Sequence, residues 1–334
     1  MGLDFTVYKG SEDGRIVKAT THRDSLKPDD VLVRVTHSGL CGTDLHYRTF
    51  DVALGHEGVG LVQEIGTDVK SMKVGDRVGW GYEHGSCGYC DECLGSHEMY
   101  CPDRQIFGSA SLDQGSFSTH AVWPAKSLFH IPESMSSADA APLMCAGSTV
   151  YNVFHLHSVS PTDRIGIVGI GGLGHLAIQF AAKMGCQVVV FSSTENKRKE
   201  AMDLGATEFY PTKDTKTLYI GPKLKHLIVT TSEQPDWSLY LPVLAPRAAI
   251  YPLSISLKDL TVPYMPLLMN GLTIQGCMSA SRGAHIKMLN FAAFHNIKPI
   301  NQVFPLNIEG IEEAMQKLHK GEIRYRVVLV AEGA

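Results

Sequence analysis

Four cysteines sit in one short stretch, spaced Cys87-x2-Cys90-x2-Cys93-x7-Cys101. Four thiolates from a single loop can close a tetrahedral zinc shell, leaving no coordination position for water or substrate. Gly85, Gly88 and Gly95 let the backbone wrap around such an ion. Two disulfides or four unrelated thiols are the other readings, and the crowding in a chain of cytosolic character argues for metal. An ion held this way is structural, so the chemistry must lie elsewhere. Cys41, His56 and Cys145 are dispersed along the chain. Together they offer two thiolates and one imidazole, a set that leaves a fourth zinc position open to water or a substrate oxygen. Spacing alone does not join them, because isolated cysteines also serve as small buried hydrophobes.

A third constellation is a glycine turn. The run Ile165-Gly166-Ile167-Val168 reads as a buried strand, and Gly169, Gly171 and Gly174 follow in G-x-G-x-x-G spacing, with Gly172 and Leu173 between the last two. Leu176 to Ala182 then reads as an apolar helix. The first glycine permits the tight turn, the second lets the backbone approach a pyrophosphate, and the third allows close helix–strand packing. Unpaired N–H groups at the helix start supply the hydrogen bonds.

The elements that position these groups fall into two kinds. Val31 to Val35 reads as a strand ending at His37-Ser38-Gly39, followed by strands over Val59 to Ile65 and Gly75 to Val78. Short strands with frequent turns, continuing to Val122-Trp123, indicate an irregular β-barrel or sandwich. Near Ser136 the pattern changes. Ser137–Ala141 and Ser148–His155 read as helices, and from Ile165 strands (Ile165–Val168, Gln187–Phe191, His226–Thr230, Ala248–Pro252, Leu272–Gly276) alternate with helices (Leu176–Lys183, Glu195–Leu204). That alternation predicts a doubly wound parallel sheet. Helices over Ile286–Phe294 and Ile308–His319 and a strand over Tyr325–Val330 complete the chain.

The 334 residues give a prior of two domains, and a net charge of −4 with well-mixed signs argues against nucleic acid or anionic membrane as partner. No apolar run has the length of a membrane span, and no signal-peptide order is read at the N-terminus, so a cytoplasmic location is expected.

The run from Gly55-His56-Glu57-Gly58 through Gly66-Thr67-Asp68-Val69 resembles the zinc-containing alcohol dehydrogenase signature of the medium-chain dehydrogenase/reductase superfamily. Cys41-Gly42-Thr43-Asp44-Leu45-His46, Pro142-Leu143-Met144-Cys145-Ala146-Gly147 and Tyr325-Arg326-Val327-Val328 resemble its cinnamyl alcohol dehydrogenase branch, in the family's order and over nearly the whole chain. The resemblance implies an α/β chain: a mainly β, chaperonin-10-like irregular barrel over 1–147, a Rossmann doubly wound parallel-sheet domain over 148–283, and a return to the catalytic domain over 284–334. It implies that Cys41, His56 and Cys145 hold a catalytic zinc, with Cys87, Cys90, Cys93 and Cys101 around a structural one. Glu57 matches a carboxylate that approaches the metal during ligand exchange, its alternative being a barrel salt bridge. Asp44 matches the carboxylate that orients the ligand imidazole. Thr43 matches the hydroxyl that takes the substrate proton, and His46 the imidazole that passes it to water.

An NAD enzyme places Asp or Glu at the end of the second Rossmann strand, against the ribose 2′-OH. Here Gln187–Phe191 runs into Ser192-Ser193-Thr194, with Lys197 and Arg198 beyond. Hydroxyls followed by cations suit an unopposed 2′-phosphate, and the pattern resembles NADP-dependent members of the branch; the plainer reading is a solvated helix face. The cofactor-binding set expected is therefore Thr149, Gly169, Gly171, Gly172, Leu173, Gly174, Ser192, Ser193, Thr194, Lys197 and Arg198. The whole predicts an NADP(H)-dependent zinc alcohol dehydrogenase/aldehyde reductase, with two zinc ions per chain and a homodimer paired through the Leu272–Gly276 sheet edge. A C=C or iminium reductase and a catalytically silent NADPH-binding protein are the rivals. The 14 residues between Cys41 and His56 are fewer than the resemblance leads one to expect, which shortens a pocket wall over Tyr47–Leu54. Tyr47, Tyr82 and Ile106 fall where the family lines its pocket.

Overall fold

The computed structural model describes residues 2–334 and divides into two compact units. One comprises the residues up to Ser148 together with Ser279–Ala334; the other is Thr149–Met278.

The first unit is built on a seven-stranded sheet, mostly antiparallel, ordered Asn301–Pro305, Arg326–Val330, Asp30–Leu40, Gly58–Ile65, Arg77–Trp80 and Phe129–His130. His120–Pro124 pairs with the other part of the Asp30–Leu40 strand. That strand is the organiser, pairing with three neighbours over 11 residues. Its pairing with Gly58–Ile65 shifts register between Leu32 and Val33 and again between Val35 and His37, as expected where a bulge bends a strand around a barrel. The strand read from sequence stopped at the polar His37-Ser38-Gly39; in the fold these residues stay in the ladder to Leu40. The buried Ser38 hydroxyl is satisfied by Ser116 Oγ at 2.6 Å, which removes the penalty for a polar residue inside the sheet. Val31, Val33, Val35, Val62, Val78, Trp80 and Trp123 form a core on one side. Leu40, Leu54, Phe107, Phe117, Val327 and Leu329 pack with the helix Ile308–His319 to form another.

The second unit is a six-stranded, all-parallel sheet in the order Glu208–Pro211, Gln187–Ser192, Arg164–Val168, Leu224–Val229, Leu244–Pro252 and Thr273–Ile274. This is the strand order of a doubly wound dinucleotide fold, with its switch point beside the central Arg164–Val168 strand. The strands are continuous apolar runs because helices cover both faces of such a sheet. The expected Glu195–Leu204 helix is a 3₁₀ turn over Glu195–Lys197 leading into an α-helix over Arg198–Asp203. The expected Leu272–Gly276 strand is reduced to Thr273–Ile274, at the open edge of the sheet. Among the described residues no helix is long and apolar enough to cross a membrane.

Candidate metal centres and dinucleotide turn

Cys41 stands where the organising strand ends and the helix Gly42–Tyr47 begins, and its Sγ accepts the Thr43 N–H at 3.4 Å. The same short helix carries Thr43 and Asp44, both buried, and His46, exposed in its last turn. Asp44 is fully buried and accepts three hydrogen bonds. Its Oδ2 takes Cys41 N at 2.9 Å, while its Oδ1 takes Gly55 N and His56 Nδ1, both at 3.1 Å. One carboxylate thereby fixes the start of the helix, the turn before His56 and the imidazole itself. With Nδ1 donating to Asp44, His56 Nε2 is the nitrogen turned to Cys41 Sγ, at 3.3 Å, and it carries the lone pair when the ring is neutral.

Cys145 arrives from another direction. Helix Ser137–Pro142 passes into a π-type turn over Leu143–Gly147, a local widening common at functional sites. The ligand atoms of Cys41, His56, Glu57 and Cys145 lie within 4.8 Å of one another. Zinc bonds of about 2.3 Å to sulfur and 2.0 Å to nitrogen place S and N roughly 3.5 Å apart in a tetrahedron, close to what the donors adopt. The donors are coupled electrostatically. A hydrogen bond with Cys145 holds the Cys41 thiol well below its ordinary value, and the same contact pushes Cys145 up. Burial works against charging His56, yet Asp44 and Cys41 outweigh it and raise the imidazole. Two sulfurs and an imidazole nitrogen this close have the composition of a divalent-cation site, which a cation completes by displacing the protons on Nε2 and the second thiol. Glu57 lies in the same group, but it is also ion-paired with buried Arg326. That is the barrel salt bridge read as its alternative role. Burial lifts Glu57 to about 7 against the pull of Arg326.

Aromatic rings close around the imidazole. His56 lies 4.7 Å from the Phe107 ring and 5.8 Å, edge-on, from Tyr82, and Tyr47 meets Phe107 at 5.1 Å. Ile106 is half-buried in a strand with Gln105 that pairs with Glu83–Gly85. The residue against the imidazole is its neighbour Phe107, which sequence reading passed over because alternation along so short a strand cannot be fixed from composition. Arg326 was missed as Glu57's partner for a similar reason, since 269 residues separate the two.

The other cysteine set converges as its spacing implied. The ligand atoms of Cys87, Cys90, Cys93 and Cys101 lie within 4.8 Å of one another, with Cys87 Sγ and Cys93 Sγ 3.9 Å apart. A tetrahedral zinc–sulfur shell has edges of about 3.8 Å. Gly88 adopts φ +83°, and its N–H points to Cys93 Sγ at 3.4 Å. Cys90 N and Cys87 N likewise reach the sulfurs of Cys87 and Cys101. The Cys87 thiol is drawn down to about 7, first by a backbone hydrogen bond from Tyr89.

In the second unit the glycine turn has the geometry of a phosphate cradle. Gly169 has φ +92°, and a Cβ on Gly174 would stand 2.0 Å from Gly169 O, so both positions need glycine. A Cβ on Gly171 would meet nothing within 4 Å, which leaves open space at the turn. Helix Gly174–Lys183 starts after Leu173, which offers no side-chain cap. His175 N and Leu176 N already donate to Gly171 O and Leu173 O at 3.2 and 3.1 Å, which leaves the N–H groups of the turn up to Gly174 for an anion. Thr230 Oγ1 braces the turn through Val168 O and Gly169 O at 2.9 and 3.1 Å. At the neighbouring strand end, Ser192 is buried while Ser193 and Thr194 are exposed. Lys197 Nζ donates to Ile170 O on the turn at 2.7 Å. Arg198 is held by Glu195 through Nε at 2.6 Å and Nη2 at 2.9 Å. At this strand end Arg198 thus has an acidic neighbour, while the Lys197 contact is to a carbonyl oxygen. Thr149 is half-buried in the helix Ser148–Leu156.

Comparison with known proteins agrees with both units. Residues 27–133 match the model of the alcohol dehydrogenase GroES-like domain, and residues 172–293 that of the zinc-binding dehydrogenase domain. A Bacillus subtilis protein named as a probable formaldehyde dehydrogenase is 34% identical over 93% of each chain. The chain belongs to the zinc-type medium-chain alcohol dehydrogenases. Within this family it is 31% identical, over 94% of each chain, to an NADP-dependent alcohol dehydrogenase C of Mycolicibacterium smegmatis. A solved cinnamyl alcohol dehydrogenase from Sorghum bicolor superposes with a TM-score of 0.89 at 30% identity, covering 98% of both chains. As a member of this alcohol dehydrogenase family the chain is an oxidoreductase.

Proposed function

We propose that this dehydrogenase interconverts aldehydes and alcohols with NADP(H), chiefly as an aldehyde reductase, using a zinc ion held by Cys41, His56 and Cys145. The observation that carries the reading is the meeting of these three donors within 4.8 Å, with Asp44 on the far nitrogen of His56. A zinc ion there supplies the Lewis acidity that polarises a carbonyl for hydride attack. Asp44 keeps the His56 ring turned and in the tautomer that presents Nε2. Thr43 exchanges the proton with the substrate oxygen, and exposed His46, on the same helix, passes it to water. Cys87, Cys90, Cys93 and Cys101 hold a second, structural zinc that stabilises their loop.

The N–H groups of the turn formed by Gly171, Gly172, Leu173 and Gly174 bind the pyrophosphate, with Gly171 leaving room for it. Thr149, Ser192, Ser193, Thr194, Lys197 and Arg198 complete the cofactor set, the last five around a 2′-phosphate. The NADP-dependent relative from M. smegmatis supports that choice. The enzyme works in the cytoplasm as a homodimer joined at the Thr273–Ile274 edge, where exposed Tyr264, Met265, Leu268 and Met269 supply apolar surface.

The test is a panel of aldehydes and alcohols followed by NADPH absorbance, with Cys41→Ser as control. Aldehyde-dependent NADPH oxidation that disappears in Cys41→Ser supports the reading. Binding of NADPH with no turnover of any substrate supports a catalytically silent protein instead.

A further inference from the structure

The cations at the end of strand Gln187–Ser192 have different partners. Lys197 reaches the glycine turn through Ile170 O at 2.7 Å. Arg198 turns back by one turn of chain and presents two N–H groups to the Glu195 carboxylate, at 2.6 and 2.9 Å. The face of its guanidinium lies 4.8 Å from the centroid of the Phe209 ring. A fork of two hydrogen bonds and a stacked face restrict guanidinium rotation far more than a single contact does. The Arg198 charge is thus balanced by a carboxylate before any ligand arrives.

The consequence separates two cofactors that differ only at the ribose 2′ position. A 2′-phosphate carries roughly two negative charges at neutral pH. To use Arg198 it must compete with Glu195, and it must then lie close to that carboxylate. A ribose 2′-hydroxyl needs no cation and is not repelled. We propose that Glu195 is a specificity-determining residue, which by holding Arg198 weakens selection for the 2′-phosphorylated dinucleotide and keeps the non-phosphorylated one usable. This rests on the reading of the glycine turn as a dinucleotide site. The Glu195 carboxyl, held below its usual range by Arg198, stays ionised throughout the neutral range, so the opposition is constant there.

Equilibrium fluorescence titrations of the purified full chain with NADPH and with NADH test this without relying on turnover. The pair is exposed on both sides, so neutralising it leaves the fold intact. Glu195→Gln should tighten NADPH binding roughly three- to tenfold, the scale of one charge-assisted contact released on a surface, and leave NADH binding nearly unchanged. Arg198→Ala should cost more NADPH affinity in the Glu195→Gln background than in the wild type, because only there is the guanidinium released. Unchanged or weaker NADPH binding in Glu195→Gln overturns the proposal, as does a gain that persists when Arg198 is also removed. A wild type that favours NADH over NADPH would contradict the NADP preference proposed above. A shift toward NADPH in Glu195→Gln would still support the role of Glu195 in that case.

Discussion

Replacing Asp44 with asparagine removes one charge and changes the hydrogen bonds of three partners. The carboxylate accepts from Cys41 N, Gly55 N and His56 Nδ1, and it is wholly buried. An asparagine amide has one oxygen and one NH₂ in the same space, and it can be placed two ways. If the oxygen faces Gly55 and His56, the NH₂ opposes the Cys41 N–H, leaving a buried donor unpaired at a cost of about 1–3 kcal/mol. If it faces Cys41, the NH₂ opposes His56 Nδ1, and the proton is driven to Nε2, the nitrogen a metal needs. The first placement has the smaller chemical cost and keeps an acceptor on His56 Nδ1, but a neutral amide makes the imidazole a weaker base than the carboxylate does. Asp44→Asn should fold, be destabilised by about 1–3 kcal/mol, and hold its catalytic zinc about tenfold more weakly, the low end of what changing an imidazole's outer partner produces. Competition with a chelator of known affinity, read as zinc retained per chain, measures the second effect, and denaturant unfolding measures the first. The Cys87–Cys101 zinc should be unaffected. Zinc retention indistinguishable from wild type in Asp44→Asn would refute the orienting role of this carboxylate.

Gly171→Ala meets nothing within 4 Å, so it should leave thermal stability unchanged while weakening NADPH binding in a fluorescence titration; equal affinity would show that phosphates do not approach this point. Arg326→Ala leaves Glu57 buried beside the zinc ligands without its cation, and unfolding should show a loss of about 3–5 kcal/mol, much of it recovered when Glu57 is also changed to glutamine. Glu83 is raised to about 7, first by burial and then by the Glu98 carboxylate, with Arg282, Arg104 and Lys126 opposing. The unfolded chain loses this proton near the ordinary glutamate value of 4.5, so between about 4.5 and 7 the native state holds a proton the unfolded state does not, and stability falls as pH rises through that window. Glu83→Gln should therefore raise the melting temperature at pH 8 and leave it unchanged near pH 4, with a gain of up to ~3 kcal/mol; equal melting curves at pH 8 would contradict the burial of that carboxyl.

What could be read from the sequence followed the range of the signals. The Cys87–Cys101 cluster is local, so spacing alone named it, and the parallel sheet was visible because strands covered on both faces become continuous apolar runs. Cys41, His56 and Cys145 carry no common periodicity, and only the family resemblance joined them. The strand over Asp30–Leu40 was read short because Thr36, His37, Ser38 and Gly39 look like a turn until Ser116 is known to satisfy Ser38. The Glu57–Arg326 pair and the Phe107 ring on His56 depend on tertiary packing and leave no sequence trace. The Glu195–Arg198 pair is different: its i, i+3 spacing is local and legible in the sequence, but the spacing does not say whether Arg198 turns to Glu195 or toward a ligand.

The central claim is that the two cysteine-rich donor sets hold zinc for different purposes, one for chemistry and one for structure. Zinc content and NADPH-dependent aldehyde reduction should be measured on the same purified samples of wild type and Cys41→Ser. Two zinc ions per wild-type chain, one for each donor group, with one ion and all turnover lost in a folded Cys41→Ser, is the predicted result. A single zinc in the active wild type, or undiminished turnover in Cys41→Ser, would contradict it.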